Sequence, residues 1–104
     1  MLELRPNCEL CDRDLPPTSA EARICSYECT YCADCVETVL RNVCPTCGGG
    51  FAPRPIRPRQ SWRPEKRLGL GHDPAGRQRY HSPYSAEEIR THVARLADIP
   101  PDAR

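Results

Sequence analysis

Residues 25–47 read CSYECTYCADCVETVLRNVCPTC, and the segment CELC at residues 8–11 precedes them. Together the two segments contain all eight cysteines of the chain. Most of the cysteine pairs enclose two residues, the interval at which a tight turn directs two thiolates toward one cation. The pairs are Cys8/Cys11, Cys32/Cys35 and Cys44/Cys47, with Cys25/Cys29 enclosing three residues. This spacing predicts that all eight cysteines ligate metal.

The start of the chain favours metal ligation over disulfide bonding. The first ten residues, MLELRPNCEL, lack the basic and apolar regions of a secretory signal peptide. No stretch of the sequence has the length and apolarity of a transmembrane helix. We therefore expect a cytoplasmic protein, in a reducing compartment where structural disulfides are uncommon.

The composition leaves little material for an ordinary hydrophobic core. Only 38% of the 104 residues are apolar, and 12 residues are proline. Small domains with a deficient core commonly depend on disulfides or metals for their stability. Zinc ions held by the cysteines are the expected source of stability here.

Zinc takes four ligands in a structural site, so eight thiolates predict two Zn²⁺ ions. A sequential partition would place Cys8, Cys11, Cys25 and Cys29 on one ion and Cys32, Cys35, Cys44 and Cys47 on the other. An interleaved partition would instead group Cys8, Cys11, Cys32 and Cys35 against Cys25, Cys29, Cys44 and Cys47. The residues alone leave both partitions open. Four thiolates leave no position for an activated water, so we expect no catalytic residues and no enzyme activity.

The order and spacing of the cysteines resemble the RING finger, with Cys29 at the usual histidine position of that family. Leu10 stands just before the second ligand, Cys29-Thr30-Tyr31-Cys32 matches the segment histidine-x-aromatic-cysteine, and Pro45 follows the seventh ligand. The resemblance implies a cross-brace, and hence the interleaved partition. A bacterial domain-of-unknown-function family, numbered 1272, is also similar to this chain in the stretches MLELRPNCELCDRDLPP (1–17), ARICSYECTYCADCVETVL (22–40) and CPTCGG (44–49). This resemblance implies a bacterial origin.

Two features depart from the RING ubiquitin ligases. Such ligases often carry a basic residue directly after the last ligand, where this sequence has Gly48. The helix predicted between Cys35 and Cys44 also lacks the tryptophan that is frequent in those ligases. The resemblance therefore implies the fold more strongly than it implies ligase activity.

The sequence divides into three predicted regions. Residues 1–52 are expected to form a two-zinc, RING-like (treble-clef-like) α+β domain with a short β-hairpin and one helix. Residues 53–84 are rich in proline, arginine and glycine and predict an extended linker or arm followed by irregular loop. Residues 85–104 predict an amphipathic helix and a tail.

The C-terminal helix has clear boundary signals. Ser85 and Glu88 form a capping box, and the apolar residues Ile89, Val93 and Leu96 lie on one stripe. Two prolines at residues 100 and 101 are expected to stop the helix. A helix of this length needs a surface to pack on. We expect that surface to be its own zinc domain, with a partner or second copy as the alternative.

The remaining side chains have ordinary interpretations. Apolar residues near the ligands are expected to form a small core around the metals, and the histidines and acids to lie in loops or in solvent. The expected core comprises Tyr27, Tyr31, Val36, Val39, Leu40 and Val43. The histidines are His72, His81 and His92, and the acids are Asp12, Asp14, Glu28, Asp34 and Glu37.

Three functions are compatible with these features. The first is a structural zinc module that mediates protein–protein interaction. The second is nucleic-acid binding through residues 54–67, which contain six basic residues and Trp62. The first half of the chain opposes this, since residues 1–50 carry eight acids against four arginines. The third, a ubiquitin-ligase-like RING, rests on analogy of fold.

Overall fold

A computed structural model describes residues 1–104 in full. The strands are β1 (Ala22–Ile24), β2 (Thr30–Cys32) and β3 (Ala52–Pro53), and the helices are α1 (Ala33–Cys35) and α2 (Ala86–Leu96). A single π-helical turn (Val36–Leu40) continues α1, and a 3₁₀ turn (Pro101–Ala103) follows α2. The protein is thus a small α+β structure, as expected from the sequence.

A three-stranded antiparallel sheet contains Cys32, and the predicted ligands Cys25 and Cys29 lie in the turn between two of its strands. Strand β1 lies in the centre, with Ala22 opposite Cys32 in β2 and Ile24 opposite Ala52 in β3. The β1–β2 turn contains the pair Cys25/Cys29, and the Cys25 N–H donates to the Cys29 carbonyl across 3.2 Å. The predicted hairpin is confirmed, whereas the third strand was not predicted.

The helical segment after β2 begins at Cys32, one of the predicted ligands. The Cys32 sulfur accepts a hydrogen bond from the Cys35 N–H at 3.4 Å and so caps the first turn. The segment ends in a π-type bond from Arg41 N–H to the Val36 carbonyl, with Arg41 in the left-handed region. A π-turn contains more residues per turn than an α-helix. The side chains that follow it therefore lie at different positions around the helix axis than a regular α-helix would give them.

The hydrophobic core surrounds the cysteines, as predicted, but with different members. Tyr31 is fully buried and packs edge-on against Phe51, with ring centroids 5.5 Å apart. Tyr27 and Val39, in contrast, are 74% and 45% exposed. Their assignment to the core was therefore wrong, because Tyr27 lies in the β1–β2 turn and Val39 on the outer side of the π-turn. Other buried apolar residues in this half of the chain include Leu4, Leu15, Val36, Leu40 and Val43.

Helix α2 packs on the cysteine-containing region. Both hydrogen bonds of the capping box are present, at 3.1 Å and 3.0 Å. Ile89 and Val93 belong to the buried core, and His92 Nε2 donates to the Cys44 carbonyl at 3.0 Å. The predicted docking of this helix on its own chain is confirmed. The helix ends at Leu96, before the two prolines.

Residues 54–84 contain no helix or strand, but they are not free of the rest of the chain. The Tyr80 backbone and the Asn7 side chain exchange two hydrogen bonds, at 3.1 Å and 2.8 Å. The Gly76 N–H donates to the Leu4 carbonyl, and the Ser82 N–H donates to the Glu9 carbonyl. The second part of this region therefore lies along the N-terminal segment.

Candidate metal centre

The first group of sulfurs comprises Cys8, Cys11, Cys32 and Cys35, all within 4.8 Å of one another. The sulfurs of Cys11 and Cys32 are 3.8 Å apart. Four thiolates at the usual Zn–S distance of about 2.3 Å form a tetrahedron with edges of about 3.8 Å. The observed separation is thus the one that a shared zinc ion requires.

A tight turn positions the first two ligands of this group. The Asp12 N–H donates to the Cys8 carbonyl at 2.9 Å, and the Cys8 N–H donates to the Arg13 carbonyl at 2.8 Å. Asp12 adopts a left-handed conformation, with φ of 66°. Its carboxylate accepts a hydrogen bond from the Asn7 side chain at 2.9 Å, which holds the turn in place.

The second group contains Cys25, Cys44 and Cys47, whose sulfurs also lie within 4.8 Å of one another. Cys29 lies outside this set of three, but its thiol is close enough to those of Cys25 and Cys44 to interact with both. The Gly48 N–H donates to the Cys44 carbonyl, closing a turn like that of the first group. Gly48 has φ of 78°, where glycine is the favoured residue.

The pKa values of the thiols diverge within each group. Hydrogen bonds from Cys25 and Cys44 lower the pKa of Cys29 to about 3. The same contacts, together with burial, raise the pKa of Cys44. Burial raises the pKa of Cys8 and of Cys35. Crowded, buried thiols therefore cannot all ionise by themselves, and a divalent cation is what would let them do so.

The grouping follows the interleaved partition. Cys8 and Cys11 group with Cys32 and Cys35. Cys25 and Cys29, from the β1–β2 turn, lie near the last CxxC pair, Cys44 and Cys47. The donor set is all sulfur, which in tetrahedral geometry suits zinc or iron–sulfur chemistry. Both groups are therefore able to hold a metal ion, and their composition is compatible with zinc.

The other polar residues considered as ligands or acids lie elsewhere. No histidine or carboxylate joins either group of potential metal ligands. Asp12 and Asp14 pair with Arg79 at 3.0 Å and 2.8 Å, and Asp34 and Glu37 are exposed. Among the histidines, His92 alone contacts a ligand residue, through the Cys44 carbonyl and not through the sulfur.

Glu9, between the first two ligands, is a structural residue that the spacing did not reveal. It is buried, and its carboxylate accepts hydrogen bonds from the Thr30 N–H and from Arg5. Arg5 in turn stacks over the Tyr80 ring at 4.1 Å. This carboxylate links the first CxxC turn to β2. The only feature of the sequence that could have indicated this role is the position of an acidic residue inside a CxxC turn.

Comparisons with known proteins concern the cysteine-containing half. The model of a family described as protein of unknown function (DUF1272) matches residues 1–57. An uncharacterized protein of Rhizobium meliloti (strain 1021) is 64% identical over 58 residues, covering 56% of this chain and 69% of that protein. No solved structure matches the chain. Neither α1 nor α2 has the length and apolarity that a membrane-spanning helix needs.

Proposed function

This chain belongs to the family described as protein of unknown function (DUF1272), and for it we propose a role as a two-zinc module that mediates protein–protein interaction. One Zn²⁺ would be held by Cys8, Cys11, Cys32 and Cys35 and the other by Cys25, Cys29, Cys44 and Cys47. The interleaved grouping of the sulfurs carries this proposal.

An interleaved pair of sites would make the fold a RING-like cross-brace. Strand β2 begins directly after Cys29 of the second site and ends at Cys32 of the first, so ordering one site would constrain the other. Two zinc ions would thereby replace the larger hydrophobic core that this chain lacks. Four thiolates per ion would fill the coordination shell, which suits a structural role and not water activation.

A groove beside the second site is the surface that we propose for the partner. It lies between the Cys44–Cys47 turn and helix α2 and has a volume of about 510 Å³. Pro45 and Thr46 form one side, and His92 and Arg95 lie on the helix side. Tyr84 also lines the groove and is 37% exposed. Most of the lining residues are polar or charged, as is usual for the rim of a protein–protein interface.

The neighbourhood of Gly48 favours interaction over ubiquitin transfer. A Cβ atom at Gly48 would lie 3.1 Å from the Leu96 side chain of α2. Arg104 also donates to the Gly48 carbonyl at 3.0 Å. The C-terminal helix and tail thus cover the position at which RING ligases present a basic residue. A ubiquitin-ligase-like activity therefore remains the lesser alternative.

The test compares two charge reversals on the same helix. Tagged, zinc-loaded wild-type protein is used to capture partners from nuclease-treated extract of its native cell. Arg95→Glu alters the groove, whereas Arg90→Glu alters an exposed residue outside it. We expect a defined protein to bind the wild type and Arg90→Glu but not Arg95→Glu. Equal binding to all three chains, or to none, would contradict the proposed surface.

A further inference from the structure

Residues 58–70 form a closed loop that projects from the packed part of the chain. The Leu70 N–H donates to the Pro58 carbonyl at 2.9 Å and closes the neck of the loop. Gly69 has φ of 86°, and a Cβ atom there would lie 2.8 Å from the Gln60 backbone. Only glycine allows the two chain segments at the neck of the loop to approach each other this closely.

The Ser61 hydroxyl organises the interior of the loop. It donates to the Lys66 carbonyl at 2.6 Å and accepts from the Leu68 N–H at 3.2 Å. Every hydrogen bond of residues 59–68 is made within the loop. Compact loops whose ends meet are frequently functional. The hydroxyl brings the Lys66–Leu68 segment against the segment that carries Trp62.

Trp62 lies at the surface of this loop, with 77% of its area exposed. It is the single tryptophan of the chain, and tryptophan is normally among the more buried residues. Leu68, across the loop, is also exposed. The loop therefore holds a large aromatic face in solvent without using it in the core.

The basic residues of the region fall into two sets. Arg54 and Arg57 donate to backbone carbonyls of the N-terminal segment and are fixed in the structure. The basic residues of the loop are exposed and take part in none of the ion pairs. These are Arg59, Arg63, Lys66 and Arg67, against the single acid Glu65.

We propose that the loop of residues 58–70 is a binding site for single-stranded nucleic acid, a second surface beyond the protein-binding groove. Trp62 stacks on a base, and the four free basic side chains contact phosphates. Base stacking on an aromatic side chain tolerates any base, and arginine and lysine neutralise the backbone. The binding is accordingly weak and without sequence preference.

The combination of residues favours a single strand over other anionic ligands. A duplex hides the faces of its bases, so Trp62 would have nothing to stack on. An anionic membrane would use the charges, but two exposed apolar side chains in the loop offer little area for insertion. An acidic peptide would use the charges and leave the aromatic face without a regular partner. Each nucleotide of a single strand offers both a phosphate for the basic side chains and an exposed base face for Trp62.

The acidic first half of the chain limits the affinity. Residues 1–50 carry eight acids and four arginines, and two zinc ions with eight thiolates would add further negative charge. We expect a dissociation constant of about 10⁻⁵ M at physiological salt, in the ordinary non-specific range. Contact of four phosphates predicts that affinity falls about 50-fold between about 50 and about 200 mM salt.

The first measurement uses full-length, zinc-loaded protein and a labelled oligothymidine of about fifteen nucleotides. Anisotropy reports binding, and the emission of Trp62 reports contact with the loop. Trp62→Ala is expected to weaken binding about 5-fold or more. Tyr27→Ala removes a similarly exposed aromatic residue from the acidic half and is expected to leave affinity unchanged. Equal affinity of the two variants would overturn the proposal.

The second measurement distinguishes binding by the basic residues of the loop from attraction by basic residues elsewhere in the chain. Arg63→Ser with Lys66→Ser is expected to reduce the salt dependence to about 7-fold over the same range. Arg77→Ser with Arg90→Ser removes the same charge outside the loop and is expected to preserve the wild-type salt dependence. Identical behaviour of both pairs would overturn the proposal. So would tighter binding to a hairpin duplex, to anionic phospholipid vesicles or to polyglutamate, each assayed by the same signals. Zinc content and partner capture are independent of these results.

Discussion

Arg54 is buried without an acidic partner, at 3% exposure. Its guanidinium donates to the carbonyls of Arg5, Leu15 and Pro16 at 2.8, 3.0 and 3.1 Å. Burial lowers its pKa. The three acceptors offset part of the desolvation of the charge, while Nε is buried without a hydrogen-bond partner. The side chain thereby ties the segment after β3 to the N-terminal segment.

Replacement of this residue by lysine is expected to be strongly destabilising. Lysine is a compact charge and lacks the planar fork that reaches three carbonyls, so acceptors would be left unsatisfied. We expect Arg54→Lys to lower the free energy of unfolding of zinc-loaded protein by about 2–4 kcal/mol. Arg59→Lys, at an exposed position, is expected to change it by less than about 0.5 kcal/mol. Similar denaturant midpoints for both variants would contradict the structural role of Arg54.

At this scale the sequence predicted which cysteines lie close together but not the residues that hold them in place. Cysteine spacing is a local signal, because a CxxC turn forms within a few residues and presents both thiolates. The roles of Glu9 and Arg54 depend on residues 21 to 49 positions away. A polar side chain that satisfies a distant backbone group carries no periodic pattern, so the sequence did not reveal it.

Helix α2 illustrates which elements can be predicted. Its capping box and its apolar stripe are encoded within a dozen residues, and both are present in the structure. Strand β3 has two residues and exists because the β1 edge offers it a partner. The π-turn after α1 likewise has no simple sequence signature, and it exposes Val39 where a regular helical pattern predicted burial.

The docking of α2 can be tested through its buried stripe. Ile89 is almost fully buried in the core cluster, and truncation to alanine in a core typically costs about 2–5 kcal/mol. We expect Ile89→Ala to lower stability within that range and to increase hydrogen exchange throughout α2. Arg90→Ala, on the exposed side, serves as the control. A large loss of stability in the control, or none in Ile89→Ala, would show that α2 does not depend on this contact.

The interleaved grouping has a consequence for the whole cysteine-containing half. If each ion joins an early and a late segment, Cys8→Ser and Cys44→Ser damage different sites, and each disrupts the whole of residues 6–50. Sequential sites would instead let the undamaged half fold around its own ion. Amide spectra of Cys44→Ser protein distinguish the two cases. A native Cys8–Cys29 segment in that variant would contradict the cross-brace.

The stability of the entire molecule depends, on this view, on metal more than on apolar burial. Structural zinc contributes apparent free energies of about 10–16 kcal/mol in finger peptides at neutral pH, whereas a core this small supplies only about 3–5 kcal/mol. We therefore expect two zinc ions per chain by elemental analysis. A strong chelator should unfold the cysteine-containing half, and α2 should lose its protection with it, because Ile89 and Val93 pack on that half. Returning zinc to the reduced chain should restore both together. One ion in metal-replete protein would contradict the two-site prediction. A half that stays folded after metal removal would mean that the buried residues alone hold this structure.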